Sequence, residues 1–173
     1  AETSNVLYRI ANLYIDKQVY DEALIYAKQA YLLHQESGSN EGEGDYLYQL
    51  AIALTSLGDH SQARDYFLRS KKYYEKSGEV EWAVANLLQL ASIEFESGNH
   101  ANGKIFFNDA FELFGSTEGD LSNDRIHHLF GTLFSLEPSL ETYVDNQVND
   151  IVQAVRVWTS KHKASRMLRA TSE

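Results

Sequence analysis

Apolar residues recur along this chain at helical spacing, and the same pattern returns every 40 residues. Leu7, Ile10 and Ala11 are repeated by Leu47, Leu50 and Ala51, and again by Leu87, Leu90 and Ala91. A second stretch follows each: Ala23, Ala27 and Ala30, then Ala63, Phe67 and Ser70, then Gly103, Phe107 and Ala110. Steps of three and four residues are those of an amphipathic helix. They predict helices over 4–17, 20–36, 44–57, 60–77, 79–97, 100–114 and 122–136, and an eighth from 139 onward. The junctions align as KQVYDEA (17–23), LGDHSQA (57–63) and SGNHANG (97–103), so Gly58 and Gly98 supply a left-handed turn without steric strain. His127, Phe130, Gly131 and Pro138 mark a degenerate fourth copy.

Small residues stand at fixed stations in this pattern. Ala11, Ala51, Ala91 and Gly131 fall in mid-helix, where a short side chain lets the partner helix approach closely. Ala23, Ala63 and Gly103 do the same from the second helix of each pair. No pair can bury its stripe alone, so neighbouring pairs must stack, which predicts an all-α solenoid. Loops rich in glycine and acid separate the pairs: SGSNEGEG (37–44), SG (77–78) and GSTEGD (115–120), with Ser122 placed to cap the helix that follows.

From Leu7 to Ala30 the first unit reads L-x-x-I-A-x-x-Y-x-x-x-Q-x-Y-D-E-A-x-x-x-A-x-x-A. This resembles the tetratricopeptide repeat over roughly residues 5–150, strongly in three units and weakly in the fourth. It departs from the usual repeat of about 34 residues by its extra length. It also lacks the helix-ending proline, with Gln35, Glu75 and Gly115 near that station. The resemblance implies a right-handed α-solenoid of repeats over 1–150, with units at about 4–36, 44–77, 79–114 and 122–150. Residues 151–173 continue the last helix: Leu140, Val144, Val148, Ile151, Val155 and Trp158 keep helical spacing, so its first half is expected to cap the stack.

In this family the first helix of each unit lines the concave face. Carried over residue by residue, the expected partner-binding set is Asn5, Tyr8, Arg9 and Asn12, then Asp45, Tyr48, Gln49, Ile52 and Thr55. The third unit contributes Ala85, Leu88, Gln89, Ser92 and Phe95, and the fourth Arg125, His128 and Thr132. Amides can satisfy the backbone of an extended peptide, and aromatic rings add apolar area at low entropic cost. The lysine and arginine clamp that some members use for a terminal carboxylate is missing. Asn12 matches it, but Tyr8, Ala85 and Gln89 stand where its cations belong. The expected function is a protein-interaction scaffold holding a partner segment or peptide in that groove. Two other readings stay open: a sensor domain for a short signalling peptide, and a structural arm of a larger protein or complex.

Composition narrows the classes further. With 43% hydrophobic residues the chain can form a core, and its single proline, Pro138, suits long helices with short connections. It has no cysteine, so disulfides and thiolate metal sites are excluded, and a reducing compartment is compatible: cytoplasm is expected, with the nucleus as the alternative. The chain opens on Ala1 rather than methionine, as a piece of a longer protein would.

Charge is uneven. Residues 1–150 carry 10 of the 15 cations and 24 of the 25 acids, a surface that repels nucleic acid and anionic membrane. The cations of the last 23 residues (Arg156, Lys161, Lys163, Arg166 and Arg169) suit a helix C-terminus, and they also offer a route to self-association. His60 and His100 repeat with the period, and His127 and His128 are adjacent and diverge, so no histidine pair has zinc spacing. EGEGD (41–45) lacks the ligand pattern of a calcium loop, and GSTEG (115–119) lacks the Lys-Ser/Thr of a phosphate loop. No catalytic, metal or cofactor constellation is expected, and protein or peptide is the expected partner.

The register makes a prediction about packing. Ala51→Leu or Ala91→Leu should overpack the contact within its pair and lower stability by about 1–3 kcal/mol, read from thermal melts. An unchanged melting temperature in both would sink the register.

Overall fold

A computed structural model of the chain describes residues 2–115, 123–141 and 143–144, with backbone alone over 123–129. The described residues hold seven helices. In order they are α1 (Glu2–Asp16), α2 (Tyr20–Glu36), α3 (Glu43–Ser56), α4 (His60–Ser77), α5 (Val80–Glu96), α6 (His100–Gly115) and α7 (Asn123–Leu136). Each lies within two residues of the helix expected from the apolar pattern. The chain divides into two compact units, Ala1–Asp120 and Leu121–Glu173.

The turn within each helix pair is built the same way three times. After α3, Gly58 takes φ 81° and Asp59 N–H donates to the Leu54 carbonyl at 2.9 Å, while Gly58 N–H reaches Thr55 at 3.0 Å. After α5, Gly98 has φ 75°, with Asn99 to Glu94 at 2.8 Å and Gly98 to Phe95 at 2.9 Å. This is the double bond of a Schellman cap, which satisfies the last carbonyls of the helix. The residue that closes the cap then begins the next helix: Ala63 N–H bonds Asp59 and Gly103 N–H bonds Asn99, both at 3.0 Å. Asp59 adds its own carboxylate to the Gln62 N–H at 3.1 Å, an N-cap. After α1 the same bonds form, but the left-handed residue is Gln18, at φ 59°.

With the turns this short, each pair folds back on itself and α1 packs on α2, α3 on α4, and α5 on α6. Ala11, Ala51 and Ala91 are fully buried, as are Ala23 and Ala63. At the Gly103 station a β-carbon would stand 2.6 Å from the Phe95 ring, so the ring occupies the space that the missing side chain leaves. At Gly131 no described residue lies within 4 Å of a β-carbon, and most of the helix expected to approach it lies outside the described residues.

Stacking between pairs buries the second face. Leu24 and Tyr66 pack against both inner clusters, one around Ala11, Tyr31, Leu47 and Leu50, the other around Ala51, Phe67, Leu90 and Ile93. Two further stations are covered in each later first-helix: Tyr46 is half-buried and Ala53 buried in α3, and Asn86 and Ile93 are buried in α5. In α1 the same stations, Val6 and Leu13, are 51% and 58% exposed.

In the second unit Phe130, Leu133, Phe134, Leu140 and Val144 are buried. After α7 the chain turns at Pro138, where Leu140 N–H bonds the Glu137 carbonyl at 3.0 Å, and helix resumes over 139–141. The expected long helix beyond Val144, its basic end and the Ser122 cap lie outside the described residues.

Gln18 should be the weak turn. A side chain at left-handed φ is strained by about 1–2 kcal/mol, and glycine there loses part of that gain to chain entropy. Gln18→Gly is expected to raise stability by about 0.5–1 kcal/mol in a denaturant titration, whereas Gly58→Gln should lower it.

Candidate functional site

The first helices of the three pairs stand in a row joined by polar and aromatic contacts. Between α1 and α3, Gln49 Nε2 donates at 2.7 Å to both the Tyr8 carbonyl and Asn12 Oδ1. Tyr8 meets Tyr46 edge-on at 5.3 Å, and Tyr46 stacks on the buried His34 at 4.5 Å. Between α3 and α5, the Tyr48 phenol hydrogen-bonds Gln89, and its ring meets Trp82 edge-on at 5.8 Å. Trp82 also stacks on Tyr74 at 5.7 Å, and the Tyr74 hydroxyl donates to Asp45 Oδ1 at 2.5 Å. Three rings, Tyr8 on α1, Tyr48 on α3 and Trp82 on α5, thus stand along the first helices, with Tyr48 against Trp82, Tyr8 against Tyr46, and the Asp45 carboxylate near them.

The expected partner-binding residues divide into three groups. Asn5 and Arg9 are exposed, and Tyr8, Asn12, Asp45, Tyr48, Ile52, Leu88, Gln89 and Ser92 are half-buried. Gln49 is 2% exposed and Phe95 5%, one spent on the α1–α3 link and the other on the Gly103 space. The side chains of Arg125 and His128 lie outside those described. Asn12 and Gln89 carry the expected amides, but both are held in place by neighbours within the fold.

Trp82 is a member of the row that the repeat register passes over. It is 46% exposed, yet its stations in the other units are Glu2 and Gly42, so periodicity alone gives it no partner. A large aromatic at the start of a helix, where the pattern has no core station, is the signal that could have found it.

Burial is the main reason that the Tyr8, Tyr48 and Tyr74 phenols ionise above the ordinary tyrosine range. The Asp45 charge pushes Tyr74 and Tyr8 the same way, while the Asn12 and Gln89 hydrogen bonds partly offset the shift in Tyr8 and Tyr48. These hydroxyls therefore stay protonated donors at neutral pH. Among the described residues no three His, Asp or Glu side chains converge as metal ligands would, and no helix is long and apolar enough to cross a membrane.

A family model for the tetratricopeptide repeat matches residues 2–76, the first two helix pairs. That segment belongs to the tetratricopeptide repeat family. The third pair repeats its turn geometry and its small-residue stations, so the family's architecture extends through α6. Tetratricopeptide repeats generally mediate protein–protein interactions, and their helical hairpins typically serve as scaffolds. No curated protein matches the chain.

The raised phenols set the sign of alkaline unfolding. Folded phenols keep their protons to higher pH than unfolded ones, so their contribution is complete below about pH 10 and is lost as pH rises beyond it. An ultraviolet titration of the folded chain should show a group of tyrosines ionising late, and stability should fall across the same alkaline range.

Proposed function

We propose that this chain is a protein-interaction scaffold, holding an extended segment of a partner protein along α1, α3 and α5. The observation that carries the reading is the aromatic row Tyr8–Tyr48–Trp82, whose rings are locked by neighbours while Trp82 and Arg9 remain exposed. Rigid rings offer apolar area without losing side-chain freedom on binding. Protonated phenols beside them can donate to backbone carbonyls of an extended chain. The surface also has no cation cluster for a terminal carboxylate, since Arg9 is the one cation in the expected set on these three helices and Asp45 opposes an anion. An internal segment with apolar side chains is the better fit.

Paired variants test this. Tyr8→Ala/Tyr48→Ala should lower affinity for a captured partner at least about tenfold, the effect of removing aromatic anchors. Tyr8→Phe/Tyr48→Phe keeps the rings and should retain most of the binding, and circular dichroism checks that both variants stay folded. A folded alanine variant that binds its partner unchanged would move the interface to another face and favour the structural-arm reading.

A further inference from the structure

A second surface, sharing no residue with the aromatic row, lies on α4 and the start of α3. An open groove of about 650 Å³ is lined there by Glu43, Leu47, Arg69, Lys72, Tyr73 and Lys76 among others. The three cations are spaced three and four residues apart, so they share one face of α4. They confront a single lining carboxylate in a chain whose net charge is −10.

The repeat itself does not produce this cluster. The stations of Arg69, Lys72 and Tyr73 are occupied by Gln29, Leu32 and Leu33 in the first unit and by Asp109, Glu112 and Leu113 in the third. A smaller groove of about 370 Å³ lies between α4 and the third pair, lined by Lys71, Glu75, Leu87, Asp109, Glu112 and Leu113. Leu87, Asp109, Glu112 and Leu113 are the stations of Leu47, Arg69, Lys72 and Tyr73, so two cations of the larger groove are replaced by two acids in the smaller one, whose Lys71 is paired with Glu75.

The basic groove is also organised. The Arg69 guanidinium lies 5.6 Å from the ring centres of both Tyr31 and Tyr66. It donates to the Tyr31 hydroxyl and stands 3.8 Å from Glu43. Five N–H donors exceed what one phenol and one distant carboxylate can take, so the group keeps donors to spare. Tyr73 is fixed at the groove wall, its hydroxyl accepting from the Gly42 N–H at 2.8 Å. Lys72 and Lys76 have no ion pair or hydrogen bond among the described residues, unlike Lys71, which bonds Glu75 at 2.7 Å. Two unpaired ammonium groups and a held guanidinium around an apolar floor are matched by an anionic chain.

The geometry points to a docking site for an acidic peptide segment of a partner protein, its anionic side chains set against Arg69, Lys72 and Lys76. Asp109 and Glu112 at the corresponding third-unit stations repel the same segment, which favours the second unit. The anionic groups are carboxylates or phosphoryl groups, which share this chemistry.

Calorimetry on the full 173-residue chain at low salt tests the site with three probes: a glutamate-rich octapeptide, its phosphoserine counterpart and inorganic phosphate. At least one peptide should bind, and Lys72→Glu/Lys76→Glu should weaken it about tenfold or more. Lys72→Gln/Lys76→Gln should fall between, which covers the case of a glutamate variant that does not fold. Whichever peptide binds more tightly identifies the anion. Lys28→Glu/Lys104→Glu makes the same charge change on exposed residues outside the groove and should leave affinity nearly unchanged. No binding of either peptide, equal loss in the two glutamate variants, or binding of inorganic phosphate alone overturns the proposal. Tyr8→Ala/Tyr48→Ala should not affect these probes, so this site and the aromatic row stand or fall separately.

Discussion

Everything described in the first compact unit depends on how closely the two helices of each pair approach. Fully buried alanines at 11, 23, 51, 63 and 91 bring the helix axes together with no long side chain between them. At the one glycine station, Phe95 fills the gap instead. Close approach makes each pair a thin, rigid slab with two apolar faces. Slabs of this kind are stable only when stacked, and the stacking in turn sets three first-helices side by side. A scaffold for extended chains follows from that arrangement without any special device.

Polar links then fix the slabs against one another. Gln49 ties α3 to α1 through two short hydrogen bonds, and Arg64 on α4 pairs with the buried Glu94 on α5. Glu94 also accepts from Asn99 at 2.7 Å, which joins the inter-pair link to the turn within the third pair. A buried carboxylate left without these partners would be strongly destabilising, so the links specify one alignment of the pairs rather than adding much net stability. The aromatic row inherits that precision. Tyr48 meets both Gln89 and Trp82 because the stacking of the pairs brings α3 and α5 within reach.

The two surfaces also differ in how the repeat treats them. In the aromatic row Tyr8 and Tyr48 share one recurring station, whereas Trp82 stands where the other units have Glu2 and Gly42. Four stations of the α4 groove line a smaller groove at the third pair, where acids stand in place of Arg69 and Lys72. Repeat architecture separates the two tasks: periodic residues maintain the stack, and substitutions at outward stations of single units give each groove its own character.

The sequence by itself determined the helices, their turns and the 40-residue register, because these rest on local chemistry. Apolar spacing, small residues and turn glycines act within a few residues of one another, and even the Gln18 turn was legible from its alignment with Gly58 and Gly98. Tertiary structure alone decided which lining residues remained available. Gln49 and Phe95 occupy inner-face stations, yet partners on other helices, 37 residues away for Gln49 and Asn12, draw them into the body. The partners of Trp82 and of Arg69 were hidden for the same reason, since those contacts come from helices that only stacking brings together. Spacing along a chain reports which way a side chain leaves its own helix, and not what waits for it on the next one.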